Sequence, residues 1–204
     1  MNIKKYYLDN MKMINKCWVN QIAISVFGLF VTFPVSQISV KFGLGDFPVL
    51  LASIFSVCFY LFLIYDAFWE FGGNCQNKQS TKYRTPIDCL KMGIFAYLPT
   101  LILISIAAFF FLLKHFTGEE WAGSAATVID VFVSLILRGM YLGIKYFVTD
   151  RDNPIIYLQY LINYLSLIPM PLICYIAFKN GQNNIRIIKK KDKKEPAIKK
   201  EKLK

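Results

Sequence analysis

Four stretches of the sequence, residues 17–40, 47–65, 92–113 and 154–178, contain no Lys, Arg, Asp, Glu or His. As helices rising about 1.5 Å per residue, each is long enough to cross the roughly 30 Å hydrocarbon core of a bilayer. A helix in a soluble core shows a polar face every turn or so. Its absence from four separate windows predicts bilayer helices. Lys4, Lys5, Lys12 and Lys16 precede the first window, which at 24 residues exceeds the roughly 7–15 apolar residues of a secretory signal. It reads as an uncleaved first span.

A fifth apolar window, 127–148, differs because it carries Asp130, Arg138 and Lys145. Placing Arg138 near mid-bilayer costs about 2.5–3.5 kcal/mol, and an odd number of spans would export the basic C-terminal tail. At 100° per residue, Asp130, Ser134, Arg138, Tyr141 and Lys145 fall within a sector of about 80° on an otherwise apolar cylinder. The expectation is an amphipathic helix lying in the outer interface, its polar stripe a solvated edge, or re-entering between the spans. The predicted fold class is an all-α polytopic membrane protein: four transmembrane helices plus an interfacial or re-entrant helix between the third and fourth.

Local signals mark several boundaries. Thr85-Pro86 with Asp88 supplies a capping hydroxyl, a proline at the first helical position and a carboxylate in the first turn, so the third helix should start well before Met92. Asp152-Asn153-Pro154 does the same for the fourth. Asp46 with Pro48 opens the second after a tight Gly43-Leu44-Gly45 turn. Pro34, Pro99, Pro169 and Pro171 fall inside spans, where a missing N–H bends a helix. Ala52 with Ser56, and Gly139 with Gly143, have the spacing that lets membrane helices approach closely.

Composition agrees with this pattern. The chain is 55% hydrophobic and 18% charged, against about 25% charged in soluble domains. The net charge is +11. With the N-terminus inside, nineteen of the 24 Lys and Arg fall on the inner side, in residues 1–16, the 66–91 loop and the tail from Lys179. That asymmetry predicts a multi-pass protein of the cytoplasmic (plasma) membrane with both termini cytoplasmic. Residues 1–16 read as a basic cytoplasmic N-terminus, 17–178 as the membrane domain, and 179–204 as a polybasic tail too polar to bury a core. Lys189, Lys190, Lys191, Lys193 and Lys194 are candidate contacts for an anionic inner leaflet. The tail has no arginine–aromatic pattern for specific nucleic acid recognition beyond Lys189.

Catalytic templates are sparse. His115 is the sole histidine, which removes two-histidine zinc sites, and no nucleophile elbow accompanies it. His115, Glu119 and Glu120, with Asp150 and Asp152, read as a solvated rim. Cys17, Cys58, Cys75, Cys89 and Cys174 read as reduced thiols. No cofactor or metal is expected. Asp66 and Glu70, four apart on an extended second helix, repel unless a cation lies near; Lys82 and Arg84 can supply it, making these four residues a candidate docking cluster for a cytoplasmic partner. The spans themselves offer only neutral polar groups such as Thr100 and Asn163, which argues against an ion-coupled pump.

The segments Tyr65-Asp66 to Phe71-Gly72, Pro86-Ile87-Asp88-Cys89-Leu90-Lys91-Met92-Gly93 and Leu167-Ile168-Pro169-Met170-Pro171-Leu172, the last followed by a basic tail, resemble an uncharacterised group of small multi-span membrane proteins of Gram-positive anaerobic bacteria. The resemblance implies a membrane fold and lends no activity. The expected role is binding rather than catalysis, as an accessory, scaffold or protective protein in contact with lipid and with other membrane subunits or a cytoplasmic protein; the alternative is a permease subunit.

Overall fold

The structure, a computed structural model, describes residues 3–75, 84–148 and 156–185. Every described element is helical: α1 (Ile3–Phe42), α2 (Phe47–Asn74), α3 (Pro86–Thr117), α4 (Glu120–Phe132), a π turn (Val133–Leu137), a 3-10 turn (Gly139–Tyr141), α5 (Leu142–Val148), α6 (Ile156–Leu165) and α7 (Pro169–Gln182). The sequence windows are the apolar centres of longer rods. At 40 residues, α1 is about 60 Å long and takes in residues 3–16, which therefore continue the first span as helix instead of forming a separate terminus.

Two boundary signals operate as expected. Thr85 accepts from the Asp88 backbone N–H while the Asp88 carboxylate accepts from the Thr85 N–H at 3.0 Å, a reciprocal capping box with Pro86 in the first turn. Gly43 and Gly45 take φ of +64° and +68°, the left-handed region that side chains disfavour, and reverse the chain within four residues between α1 and α2. Asp46 differs: it stands at the N-cap of α2 in helical conformation with no capping bond from its side chain.

Three hydrogen bonds show that α1 and α3 run side by side in one direction. Tyr6 Oη donates to Asp88 O at 3.0 Å, Trp18 Nε1 to Ala96 O at 2.6 Å and Gln21 Nε2 to Thr100 Oγ1 at 3.2 Å. The last span is not one helix. It breaks at residues 166–168 into α6 and α7 and extends to Gln182, running antiparallel to α3: Tyr160 bonds Ala107 O and Tyr164 meets Ser105 near one end, while Gln182 reaches Arg84 O at the other. Against α2, α7 packs through glycine, since a Cβ on Gly72 would meet Phe178 O and one on Gly181 would meet Trp69 O.

The core gathers Cys17, Tyr60, Phe68, Met92, Tyr97 and Phe178 with Cys89 and Cys174. Large apolar side chains are equally abundant outside: Phe30, Phe33, Phe55 and Phe109 are 58–75% exposed. A water-facing surface does not carry so continuous an apolar coat. Among the described residues, five helices are long and apolar enough to cross a membrane, including Glu120–Leu137. That is compatible with a multi-pass membrane protein, but the five exceed the four windows expected.

Candidate functional site

The extra apolar helix leads to the most polar interior of the molecule. After Gly118, which closes α3 at φ +74°, α4 turns back along α3 with Trp121 edge-on to Phe110. The helical path stops at Arg138, whose φ of −140° and ψ of 22° end the π turn. The chain then reverses. Lys145 Nζ lies 2.9 Å from Asp130 Oδ2 and 2.9 Å from Ser134 Oγ, so the Lys145 side chain reaches back to α4 while α5 itself packs on α2 and α1. Residues 120–148 are a helical hairpin with its tip at Arg138, not the single helix expected over 127–148.

Glycine makes the tip fit. A Cβ on Gly139 would collide with Ser25 O of α1, and one on Gly143 with Val49 O of α2, so the expected small-residue spacing is where backbone meets backbone. A broken helix in an apolar medium leaves open N–H and C=O groups that cost several kcal/mol each, and here the neighbours close them. Gln21 Nε2 donates to Leu137 O at 3.1 Å, and the Gly143 N–H donates to Ser53 Oγ at 2.7 Å. Arg138 Nη1 donates to Asn163 O, beside the break between α6 and α7, where Ser166 Oγ also donates at 3.0 Å. The hairpin tip thus meets an open carbonyl at the other break.

Depth follows from the same contacts. Gln21 bridges Leu137 O and Thr100, and Thr100 lies near the centre of the uncharged run 92–113. Arg138 is therefore level with the middle of that run of α3 and is 4% exposed. Its guanidinium carbon sits 5.0 Å from the Tyr141 ring centre, a cation–π contact. Asn163 Nδ2 donates to Asp130 Oδ1 at 3.1 Å, holding the carboxylate whose other oxygen pairs with Lys145. Among the described residues, Arg138 Nη2 and the Tyr141 hydroxyl are buried without a hydrogen-bond partner, and the residues Arg138 and Tyr141 line a small void with Ser134, Lys145, Asn163 and Ser166. The stripe residues thus face one another inside the bundle; the expected solvated edge is overturned by this burial.

The other candidate cluster is not assembled. Asp66 and Glu70 lie on an exposed face of α2 and Arg84 is half-buried; among the described residues, no ion pair joins either acid to Arg84. Lys82 and Lys189, Lys190, Lys191, Lys193 and Lys194 lie outside the described residues, as does the Asp152-Asn153-Pro154 start. At the opposite rim Glu120 pairs with Lys114 at 3.2 Å, and no described group of His, Cys, Asp or Glu converges on a metal position. Asn163 and Gln21 were visible in sequence as neutral polar residues within spans. What singles them out is Arg138, whose cost at mid-depth demands such partners.

The fold and site together define a helical, membrane-compatible bundle with a charged hairpin at its centre. Compared with family models, curated proteins and solved structures, the chain matches none.

Proposed function

We propose that this chain is a four-span protein of the bacterial cytoplasmic membrane in which residues 120–148 re-enter from the outer face, and that it acts by binding rather than catalysis. One observation carries the reading: Lys145 pairs with Asp130 and Ser134 across the hairpin, so this fifth apolar segment enters and leaves at the same end. An even number of crossings then keeps the lysine tail on the side of the basic N-terminus, as the charge asymmetry requires. Asp66 and Glu70 are exposed on that inner side, with Arg84 at the start of the next helix, available to a cytoplasmic partner, and the tail lysines meet anionic lipid.

Face mapping tests it. Single cysteines replacing Phe116 and Phe147, both more than half exposed, should take up a membrane-impermeant maleimide from the outside of intact cells, and a cysteine at Glu70 should not. Labelling of the two hairpin ends from opposite faces would discard the re-entrant arrangement. The role of permease subunit is the second reading, favoured by the buried Asp130–Lys145–Arg138 group, since ionisable residues at mid-membrane mark substrate paths. Isolation in mild detergent separates the two: a co-purifying ATPase or second permease supports the subunit, whereas other membrane or cytoplasmic partners support the accessory role.

A further inference from the structure

We propose that the N-terminal end of α1 binds the headgroup of an anionic phospholipid of the inner leaflet, held by Lys12 and Lys16 with Lys91 of α3 at the same level. This rests on the reading above that the N-terminus is cytoplasmic, and it names a lipid contact separate from the tail.

Level along the bundle comes first. The uncharged run 17–40 of α1 has 24 residues, about 36 Å of helix against roughly 30 Å of hydrocarbon, so when centred its ends stand about 3 Å outside the apolar layer. Lys16 adjoins one end, and Lys12 lies a turn, about 6 Å, further out. Headgroups occupy about 5–7 Å on each side of the hydrocarbon, so both lysines stand at the level of the lipid phosphates. Trp18, 41% exposed, marks the same boundary, where indole rings collect. Its Nε1 is bonded to Ala96 O of the parallel helix α3. Lys91, five residues before Ala96, is therefore level with the stretch from Lys12 to Lys16.

Charge sets the sign of the ligand. Lys12 and Lys16 are exposed and four residues apart, hence on one face of α1, where like charges repel. Among the described residues no ion pair joins either of them to an acid, and residues 1–16 contain a single acid, Asp9. The Lys91 side chain is 47% exposed and its ammonium only 4.0 Å from Asp88, whose carboxylate is already engaged in the Thr85 cap. A phosphate diester between Lys12 and Lys16 removes their repulsion and supplies the missing negative charge.

The rest of that face selects a lipid over a soluble anion. Val19 and Val26, three and fourteen residues beyond Lys16 and Lys12, and Phe30, fourteen beyond Lys16, lie on the same side of the helix and are 64%, 40% and 75% exposed. Two cations at headgroup level therefore stand at the top of an apolar lane running into the bilayer. A phospholipid fills both parts, its phosphate on the lysines and an acyl chain along the lane, whereas an acidic protein or a free phosphate uses the lysines alone.

The test uses the full chain purified in an uncharged detergent at low salt. Phosphatidylglycerol is added stepwise to the micelles, with phosphatidylcholine and inorganic phosphate in parallel, and the melting temperature is followed, since a ligand of the native state raises it. The wild type should melt higher as phosphatidylglycerol increases, with saturation, and should respond to neither of the other two. Replacing Lys12 and Lys16 by glutamine should leave the melting temperature without lipid unchanged and raise the half-saturating phosphatidylglycerol content about fivefold for each lysine removed. Glutamine at Lys189, Lys190, Lys191, Lys193 and Lys194 together should preserve the saturable rise, and so should Lys41→Gln at the opposite end of α1. An equal rise with phosphatidylcholine or with phosphate would overturn the proposal, as would a loss of the rise in the tail variant or an equal weakening by Lys41→Gln. If the Lys12 and Lys16 variant responds as the wild type does, these lysines are left to an acidic protein and the lipid site falls, while a Glu70 cysteine that stays unlabelled from outside keeps the topology standing. Labelling of that cysteine from outside removes the cytoplasmic placement and the inner-leaflet site with it.

Discussion

Two groups of ionisable side chains, one on α2 and one in the hairpin, have similar chemistry and opposite surroundings. Asp66 and Glu70 stand one turn apart on an exposed face with no basic partner within reach among the described residues. Asp130 and Lys145 lie on different limbs of a hairpin at 2.9 Å, their side chains 18% and 11% exposed, with Asn163 and Ser134 bonded to them. A pair that is solvated contributes little to stability because water screens it and its side chains lose entropy when fixed. A pair enclosed by apolar helices cannot be broken without leaving a bare charge. Sign and location together decide which group holds the protein together: two exposed carboxylates have no attraction to enclose.

That contrast can be broken by substitution, with stability followed by unfolding of the detergent-solubilised protein. Asp130→Asn should have the largest effect, a loss of about 3–5 kcal/mol, because the Lys145 ammonium loses the carboxylate 2.9 Å away in a mostly enclosed seam; a loss within 0.5 kcal/mol, about that of an ordinary surface change, would mean the hairpin seam is wet. Gly143→Val should cost about 1–3 kcal/mol or more by driving a side chain into Val49 O, and a neutral result would show that α5 does not press on α2. Thr85→Ala removes the capping hydroxyl of α3 and should cost about 1 kcal/mol, measured on the same unfolding curve. Glu70→Gln should fall within about 0.5 kcal/mol of the wild type. A larger loss would place that residue in an interaction beyond the exposed face described.

How much of this was legible beforehand differs along the chain. The start of α3 could be read because every part of the cap lies within four residues, Thr85 to Asp88, and local hydrogen bonds need no tertiary partner. The reversal at Gly43 and Gly45 was equally local. The hairpin was only half legible. Asp130, Ser134, Arg138, Tyr141 and Lys145 were correctly grouped, but on the assumption of an unbroken helix, which places them on one outer edge. In the structure the helix stops at Arg138, and the group closes on itself across the two limbs. No proline marks that break. It is held by Gln21, Ser53 and Asn163, residues 25 to 117 positions away, so no window of ordinary length contains its cause. The start of α1 was underestimated for a related reason: the charges that end an uncharged window do not end a helix.

The dependence of the hairpin on Asn163 also has a temporal side. Ribosomes release the chain from its N-terminus at about 5–20 residues per second, so Arg138 and Asp130 emerge before the segment that will satisfy them. During that interval the hairpin has α1, α2 and α3 to lean on but lacks its final polar partner, and a polypeptide truncated after Val148 would never acquire it. Quality-control proteases should therefore clear such truncated chains faster than the full-length protein, because a segment made after the hairpin is the one that completes it.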